Sequence, residues 1–289
     1  MAILKYINNN NKSIELGNAA PFLVTTIDGL GSPQNEIYTQ KSPYQDGVTA
    51  THSSLGPRNI VIEGKIMDSN RENRQAYRNK LLSVFNPKLD GKLIIDLGNV
   101  KRQIDCIVEQ APYFSSKAER NYQDFSINLI APNPYWQDTS TTKEEIAIWR
   151  GAFEFPLELF EEGIELGYRE PSLIVNIFNK GDVPCAMTIQ FKALATVVNP
   201  SLFNVSTREY FKINKTMNAG EIITITTHFG NKRVELNQNG VISNAFNWID
   251  LNSTFMQLEP GDNLLRYDAD DGIDNLEVSI WHTPQYLGV

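Results

Sequence analysis

Histidines are the first residues in this sequence that could do chemistry, because imidazole binds metals and transfers protons. The three histidines, His52, His228 and His282, lie far apart in the 289-residue chain. None has another histidine or a cysteine two to four positions away, whereas metal sites usually draw ligands at such short spacings. We therefore predict surface or strand-end histidines rather than a metal centre.

An acidic run near the C-terminus is the next candidate, because its spacing is similar to that of a calcium loop. Its acids are Asp268, Asp270, Asp271 and Asp274. The EF-hand pattern fails, however, because Gly272 falls one place early and Ser279 stands where a glutamate is needed. The run predicts an acidic hairpin turn, with adventitious calcium binding as the alternative.

Neighbouring acids are the groups that glycoside hydrolysis would require. The pairs are Glu144 with Glu145, Glu161 with Glu162, and Asp270 with Asp271. Spacing alone leaves catalysis open, since carboxylates can meet across a fold, but solvated edges are the simpler interpretation. No nucleophile-elbow motif and no glycine-rich phosphate loop is present in the sequence. We predict no catalytic residue, no cofactor and no metal.

Tryptophans provide the aromatic faces on which a sugar could stack. Trp136 and Trp149 flank the predicted domain boundary, and Trp248 and Trp281 lie in the predicted sandwich of the second domain. A sugar platform needs an exposed ring flanked by polar donors, so we predict core or edge packing for all four.

Composition and charge narrow the class of protein. The formal net charge is −8, with 15 Lys and Arg against 14 Asp and Glu in residues 1–140, and 11 against 20 in residues 141–289. This asymmetry favours two domains, the second poorly suited to binding nucleic acid.

No apolar run approaches the roughly 20 residues that cross a membrane, so no membrane insertion is expected. The start of the chain predicts no secretory signal. We predict that Cys106 and Cys185 are small buried core residues. Two cysteines without a disulfide framework are consistent with synthesis in a reducing compartment.

One stretch, residues 58–99, organises the first domain as a strand, a helix and a second strand. Alternating apolar residues in 58–67 predict a half-buried strand. Ser69 and Glu72 have capping-box spacing, and Pro87 ends the helix. The apolar stripe of this helix consists of Tyr77, Leu81, Val84 and Phe85. We expect the stripe to pack on a sheet, and the basic side of residues 69–86 to face solvent or a subunit partner.

The sequence predicts β structure for the rest of the chain. Residues 37–57 predict a long hairpin or an edge loop, and the proline-rich and polar residues 132–145 predict a domain boundary. Short strands at about ten-residue spacing follow, including residues 152–159 and 255–261, which favours a sandwich or jelly roll. The predicted fold is therefore mainly β. An antiparallel domain with one packed helix (1–137) precedes a β-sandwich domain (138–289).

Several motifs, in order along nearly the whole chain, resemble the distal tail proteins of siphoviruses. The N-terminal motifs are PFLVTTIDGL (21–30), the strand–helix–Asn-Pro–strand core, the Cys106 strand and PNPYW (132–136). The C-terminal motifs are FNKGDVP (178–184), NP (199–200), AGE (219–221), GNKRV (230–234), LEPGDN (258–263) and the terminal YLGV (286–289).

This resemblance implies a non-enzymatic structural protein of the phage tail tip. It implies a homo-hexameric ring, single or stacked, formed by the first domain, with a galectin-like sandwich projecting outward. The ring would link the major tail tube protein to the baseplate hub, a tail-associated lysin or a receptor-binding protein, and DNA would pass through without specific binding. Synthesis would occur in the bacterial host cytoplasm. The alternatives are a carbohydrate-binding module and, behind it, a glycosidase.

Overall fold

The computed structural model describes residues 3–116, 120–147, 149–151, 167–169 and 174–289. The chain divides into two compact units, the first comprising Met1–Thr139 and Tyr286–Val289 and the second Ser140–Gln285. The predicted division assigned all of residues 138–289 to one domain. In the structure, the last four residues instead belong to the first unit.

An antiparallel sheet forms the frame of the first unit. Its strand order is β2-β1-β7-β8-β9-β6-β3, with the short β10 also paired to β8. The strands of this unit are β1 (Ile3–Asn8), β2 (Ser13–Leu16), β3 (Phe22–Asp28), β4 (Asn35–Gln40), β5 (Thr49–Leu55), β6 (Arg58–Met67), β7 (Asp90–Asp96), β8 (Lys101–Phe114), β9 (Tyr122–Ala131) and β10 (Trp136–Asp138). The alternation predicted for residues 58–67 is confirmed, since Ile60, Ile62 and Ile66 of β6 are all fully buried.

The single α-helix of the described residues, α1, spans Arg71–Val84. The predicted capping residue is wrong by one position, because the N-cap is Asn70, whose side-chain oxygen accepts a hydrogen bond from the Glu72 backbone amide at 2.8 Å. Asparagine and serine are both good N-caps, so adjacent candidates compete and local geometry decides between them. The helix ends at Val84, with Phe85 as its C-cap.

The helix packs its apolar stripe against the sheet, as predicted. Leu81, Val84 and Phe85 are buried, and Tyr77 is partly buried against the same core. The Phe85 ring stacks on Tyr6 of β1 at 4.4 Å between centroids, and Tyr77 meets Phe22 edge to face. These contacts fix the position of α1 and therefore of its polar face.

The second unit consists of two main antiparallel sheets around one core. One sheet has the order β11-β24-β15-β20-β21-β22 and the other β14-β23-β17-β18. The strands are β11 (Thr142–Ala147), β12 (Trp149–Gly151), β13 (Gly167–Arg169), β14 (Ile174–Asn179), β15 (Met187–Ala193), β16 (Val197–Val198), β17 (Ser201–Asn204), β18 (Tyr210–Lys212), β19 (Thr216–Met217), β20 (Ile222–Thr226), β21 (Arg233–Gln238), β22 (Val241–Asn244), β23 (Gly261–Asp268) and β24 (Leu276–His282). The last short strand, β25 (Gln285–Tyr286), belongs instead to the sheet of the first unit. Short 3₁₀ turns lie at Phe246–Trp248 and Ile273–Asn275.

Alternate side chains of both sheets meet in this core. Ile189 and Phe191 of β15 and Ile280 of β24 come from one sheet, and Leu265 of β23 from the other. This arrangement is a β-sandwich, so the mainly β fold class is confirmed.

Individual strands were predicted less accurately than the class. Residues 255–261 were predicted as a strand, but only the last of them, Gly261, lies in one. Their one bridge joins Leu258 to Cys185 before β23 begins at Gly261. Conversely, β22 and β17 were not recognised. The strand predicted at residues 152–159 lies outside the described residues.

Candidate functional site

The hairpin of β4 and β5 is the most exposed regular element of the first unit. Its two strands pair only with each other among the described residues, and every residue of β4 is exposed. Large apolar side chains nevertheless occupy it. Ile37 is 60% exposed, Tyr38 is 51% exposed, and Val48 in the connecting turn is 58% exposed. An isolated two-stranded hairpin is at best marginally stable in water, so this apolar surface favours contact with another molecule.

Near the base of this hairpin, Arg58 is buried and its guanidinium binds only backbone carbonyls. Its Nε donates to Pro134 O at 2.7 Å, its Nη1 to Gly29 O at 2.8 Å and also to Gly31 O, and its Nη2 to Leu287 O at 2.6 Å. No carboxylate pairs with it in the described part of the chain, and burial lowers its pKa. Arg58 therefore holds three separate segments together through hydrogen bonds.

The three histidines remain apart in the structure. His52 is exposed on β5 and stacks on Tyr38 at 5.9 Å. His228 is exposed just after β20, and His282 is buried at the end of β24. The described residues contain no group of three or more metal-ligating side chains.

His282 is the one histidine of the three that is buried. Burial lowers its pKa, because the charged imidazolium loses its hydration. The nearby Glu144 carboxylate and a hydrogen bond with the Phe178 backbone oppose that shift. Its Nδ1 is buried without a hydrogen-bond partner. His282 thus behaves as a neutral core residue.

Acidification should destabilise the second unit through His282. Because its folded pKa lies below its unfolded value of about 6.5, the unfolded chain binds the proton first. The stability that neutral His282 contributes is therefore complete above its unfolded pKa. This contribution is lost as the pH falls below that value towards the folded pKa. Thermal unfolding between pH 7.5 and pH 5 should show a larger fall in midpoint for the wild type than for His282→Gln. The exposed His52 supplies the control, since His52→Gln should follow the wild type. Parallel profiles for the wild type and His282→Gln would contradict this assignment.

The acidic run is an ion-paired turn between two sheets rather than the predicted hairpin turn, because β23 and β24 on either side of it belong to different sheets. The Asp270 carboxylate accepts hydrogen bonds from Lys212 Nζ at 2.8 Å and from Asn199 Nδ2 at 2.8 Å, and these bonds lower its pKa. Gly272 has φ +74°, and a Cβ there would lie 2.2 Å from Thr196 O, so only glycine fits the turn. The carboxylate of Asp270 is already neutralised by a protein cation.

The other predicted groups are structural where the structure describes them. Glu145 pairs with Lys143, and Glu161 and Glu162 lie outside the described residues. Cys106 and Cys185 are buried and unpaired, as predicted, and burial raises the pKa of both thiols to about 12.

The three tryptophans whose side chains the structure describes are buried or half-buried. Trp136 is fully buried, with the Arg58 guanidinium 5.7 Å from its ring centroid. Trp248 and Trp281 are half-buried, and the ammonium groups of Lys215 and Lys143 lie 5.0 and 5.4 Å from the respective rings. The side chain of Trp149 lies outside the described residues. Covered rings are poor platforms for a sugar.

The basic side of α1 lines a cavity that the sequence alone did not indicate. Arg71, Arg74 and Arg78 share this cavity with residues from the end of β8 and the start of β9. The three-to-four-residue spacing of the arginines was visible in the sequence, but the neighbouring strand ends were not. None of the helices in the described residues has the length and apolar character needed to span a membrane.

Two family models match this chain. The phage tail protein RIFT-related domain matches residues 9–131, and the C-terminal domain of the siphovirus-type tail component matches residues 180–286. Together they span most of the chain. Among curated proteins, none matches the sequence significantly.

Solved structures from phage tails are similar over the whole chain. The SPP1 Dit protein, described as a paradigm of the hub adsorption apparatus in phages that infect Gram-positive bacteria, has a TM-score of 0.70 at 13% identity and covers 98% of each chain. A chain of the phage P2 baseplate in its activated conformation with Ca has a TM-score of 0.54 at 12% identity, with complete coverage of both chains. The corresponding Sr structure gives 0.53 at 12% identity, also with complete coverage. At such identities these similarities establish the fold.

Proposed function

This chain belongs to the siphovirus distal tail protein family, and we propose that it forms a hexameric ring at the tail tip. The ring joins the tail tube protein to the baseplate hub and to the host-adhesion apparatus, such as a tail-associated lysin or a receptor-binding protein. DNA passes through its channel. As a structural tail component the chain has no catalytic role, and we place its synthesis in the host cytoplasm.

The exposed hairpin of β4 and β5 is the observation that carries this proposal. A cyclic ring is built from heterologous contacts, in which one surface of each copy meets a different surface of the next. A hairpin that pairs with no other described strand and exposes Ile37, Tyr38 and Val48 suits one half of such a contact. The near-neutral charge of residues 1–140, with 15 basic against 14 acidic residues, permits identical copies to pack closely.

The channel imposes a second requirement on the ring. Each DNA phosphate that a basic side chain neutralises adds salt-dependent affinity, so a bore that releases DNA should be neutral to acidic. We therefore place the basic side of α1 away from the bore. A ring structure with Arg74 and Arg78 lining the bore would contradict this placement even if the hexamer itself were found.

Removing the apolar surface of the hairpin should abolish ring assembly. Negative-stain microscopy and light scattering of the full-length protein should show six-fold rings for the wild type. The triple variant Ile37→Ser, Tyr38→Ser, Val48→Ser should give single copies, because the contact loses its buried apolar area. At dilutions at which the wild type is also dissociated, its thermal midpoint should stay close to that of the wild type, since the three side chains are exposed in a single copy.

A matched control uses two apolar side chains of the second unit. Val241 and Ile242 on β22 are 70% and 65% exposed, and Val241→Ser with Ile242→Ser should leave the rings intact. Rings in the hairpin variant would show that another surface makes the contact. A wild type that stays monomeric at high concentration would contradict self-assembly.

A further inference from the structure

A cavity of about 330 Å³ lies between α1 and the ends of β8 and β9. Three arginines, Arg71, Arg74 and Arg78, line one side of it, and Ser115 and Ser116 border the other. Positions 71, 74 and 78 fall on one face of the helix, which is why their side chains converge. The cavity thus concentrates three positive charges.

Two of the arginines are held in place by neighbouring groups. The Arg74 Nη1 donates to the backbone carbonyls of Asp68 and Arg120 at 2.7 and 2.6 Å. The Arg78 guanidinium carbon lies 4.7 Å from the centroid of the Phe114 ring. These contacts orient the two guanidinium groups and leave most of their donors for other acceptors.

The positive charge at this cavity is not compensated within the described residues. None of the three arginines forms an ion pair there. The Asp68 carboxylate, at the start of the helix, instead accepts hydrogen bonds from the Asn70 amide at 2.7 Å and from the Asn73 side chain at 3.1 Å. The Nε of Arg78 is buried and makes no hydrogen bond. Buried donors are nearly always paired, so this one indicates an acceptor that the described chain does not supply.

We propose that this cavity is a binding site for an oxyanion of the phosphate class. Guanidinium groups match the geometry of phosphate oxygens and donate to them in pairs. Three arginines supply more positive charge than a single carboxylate needs, whereas a phosphate group carries about 1.5 to 2 negative charges at neutral pH. The site is separate from the hairpin, and the proposal does not depend on ring assembly.

Calorimetric titration of the full-length protein with sodium phosphate tests the site, with sodium chloride holding the ionic strength constant. The wild type should bind one phosphate per chain saturably. Arg71→Gln and Arg78→Gln should each raise the dissociation constant about tenfold or more, because each loses charge-assisted hydrogen bonds. Arg71→Lys should fall between them and the wild type, since it keeps the charge but not the fork.

The helix also supplies a control for net charge. Lys80 is exposed on α1 outside this cavity, so Lys80→Gln should bind phosphate as the wild type does. Arg71 is also exposed and lies in the first turn, so its variants test the site even if Arg78→Gln fails to fold. Absence of binding by the wild type, or equal binding by Arg71→Gln and Lys80→Gln, would overturn the proposal.

Two further probes identify the source of the oxyanion. A short fluorescein-labelled DNA duplex that competes with phosphate, and loses affinity in Arg71→Gln, would identify a phosphodiester. A duplex that does not compete would identify free phosphate. A site that ignores phosphate but binds a polyglutamate peptide through the same arginines would overturn the phosphate assignment in favour of a carboxylate-bearing protein partner.

Discussion

Arg58→Ala should destabilise the first unit by about 3–5 kcal/mol. The substitution removes the donors of four carbonyl oxygens, which belong to Gly29, Gly31, Pro134 and Leu287. A hydrogen bond from a charged group contributes about 1.5–3 kcal/mol, and a buried acceptor left unpaired costs a similar amount. The sum is reduced because the alanine variant no longer buries a charge and water can enter the space. The expected loss is still a large fraction of the stability of a typical domain.

Hydrogen exchange of the amides in β6 and β9 measures this loss in the unit concerned. Arg58→Lys should be intermediate, because an ammonium keeps the charge but its three donors cannot reproduce the planar fork. Lys88→Ala removes an exposed cation from the same unit and should change the protection by less than about 0.5 kcal/mol. If Arg58→Ala matched Lys88→Ala, the four hydrogen bonds would contribute nothing net to folding.

The sequence predicted well those features that repeat locally. The two-residue alternation of Ile60, Ile62 and Ile66 and the helical spacing of Leu81 and Phe85 are periodic patterns. Each pattern states which face is buried without reference to the rest of the chain. The same reasoning identified the sandwich class of the second unit, where many alternating strands point to one core.

Features made by distant segments were not predictable in this way. Arg58 looks like any other basic residue in the sequence, and its role depends on residues 29–31, 134 and 287 meeting around it. The cavity beside Arg78 likewise requires the end of β8, about 36 residues further along the chain. The periodicity of a segment carries no information about its contacts with segments that are distant in the sequence.

Short-range choices between similar residues were also missed. Ser69 and Asn70 are equally suitable caps, so the capping-box spacing to Glu72 selected the wrong one. Residues 255–261 contain apolar side chains at strand-like spacing but make one bridge instead of a ladder. Strand formation depends on a neighbouring strand with free backbone groups, which the segment's own sequence does not reveal.

Leu81→Ala should destabilise the first unit by about 2–5 kcal/mol, because it opens a cavity beneath α1. Leu81 is fully buried in the core that α1 shares with the sheet. The next residue provides a matched control, since Leu82 lies on the same helix and is 41% exposed. Leu82→Ala removes the same atoms from a site that water already reaches, and should cost less than about 1 kcal/mol.

The variants Leu81→Ala and Leu82→Ala also test whether phosphate binding at the arginine cavity depends on the packing of α1. Denaturant unfolding gives the free energy of each variant, and phosphate titration gives its affinity under folding conditions. Leu81→Ala should lower stability while its folded fraction retains the arginine cavity, because Leu81 is not among the residues that line this cavity. Equal stability of Leu81→Ala and Leu82→Ala would place the stripe at the surface and contradict the packing of α1. Loss of phosphate affinity in Leu81→Ala alone would instead show that the arginines depend on how α1 is seated on the sheet.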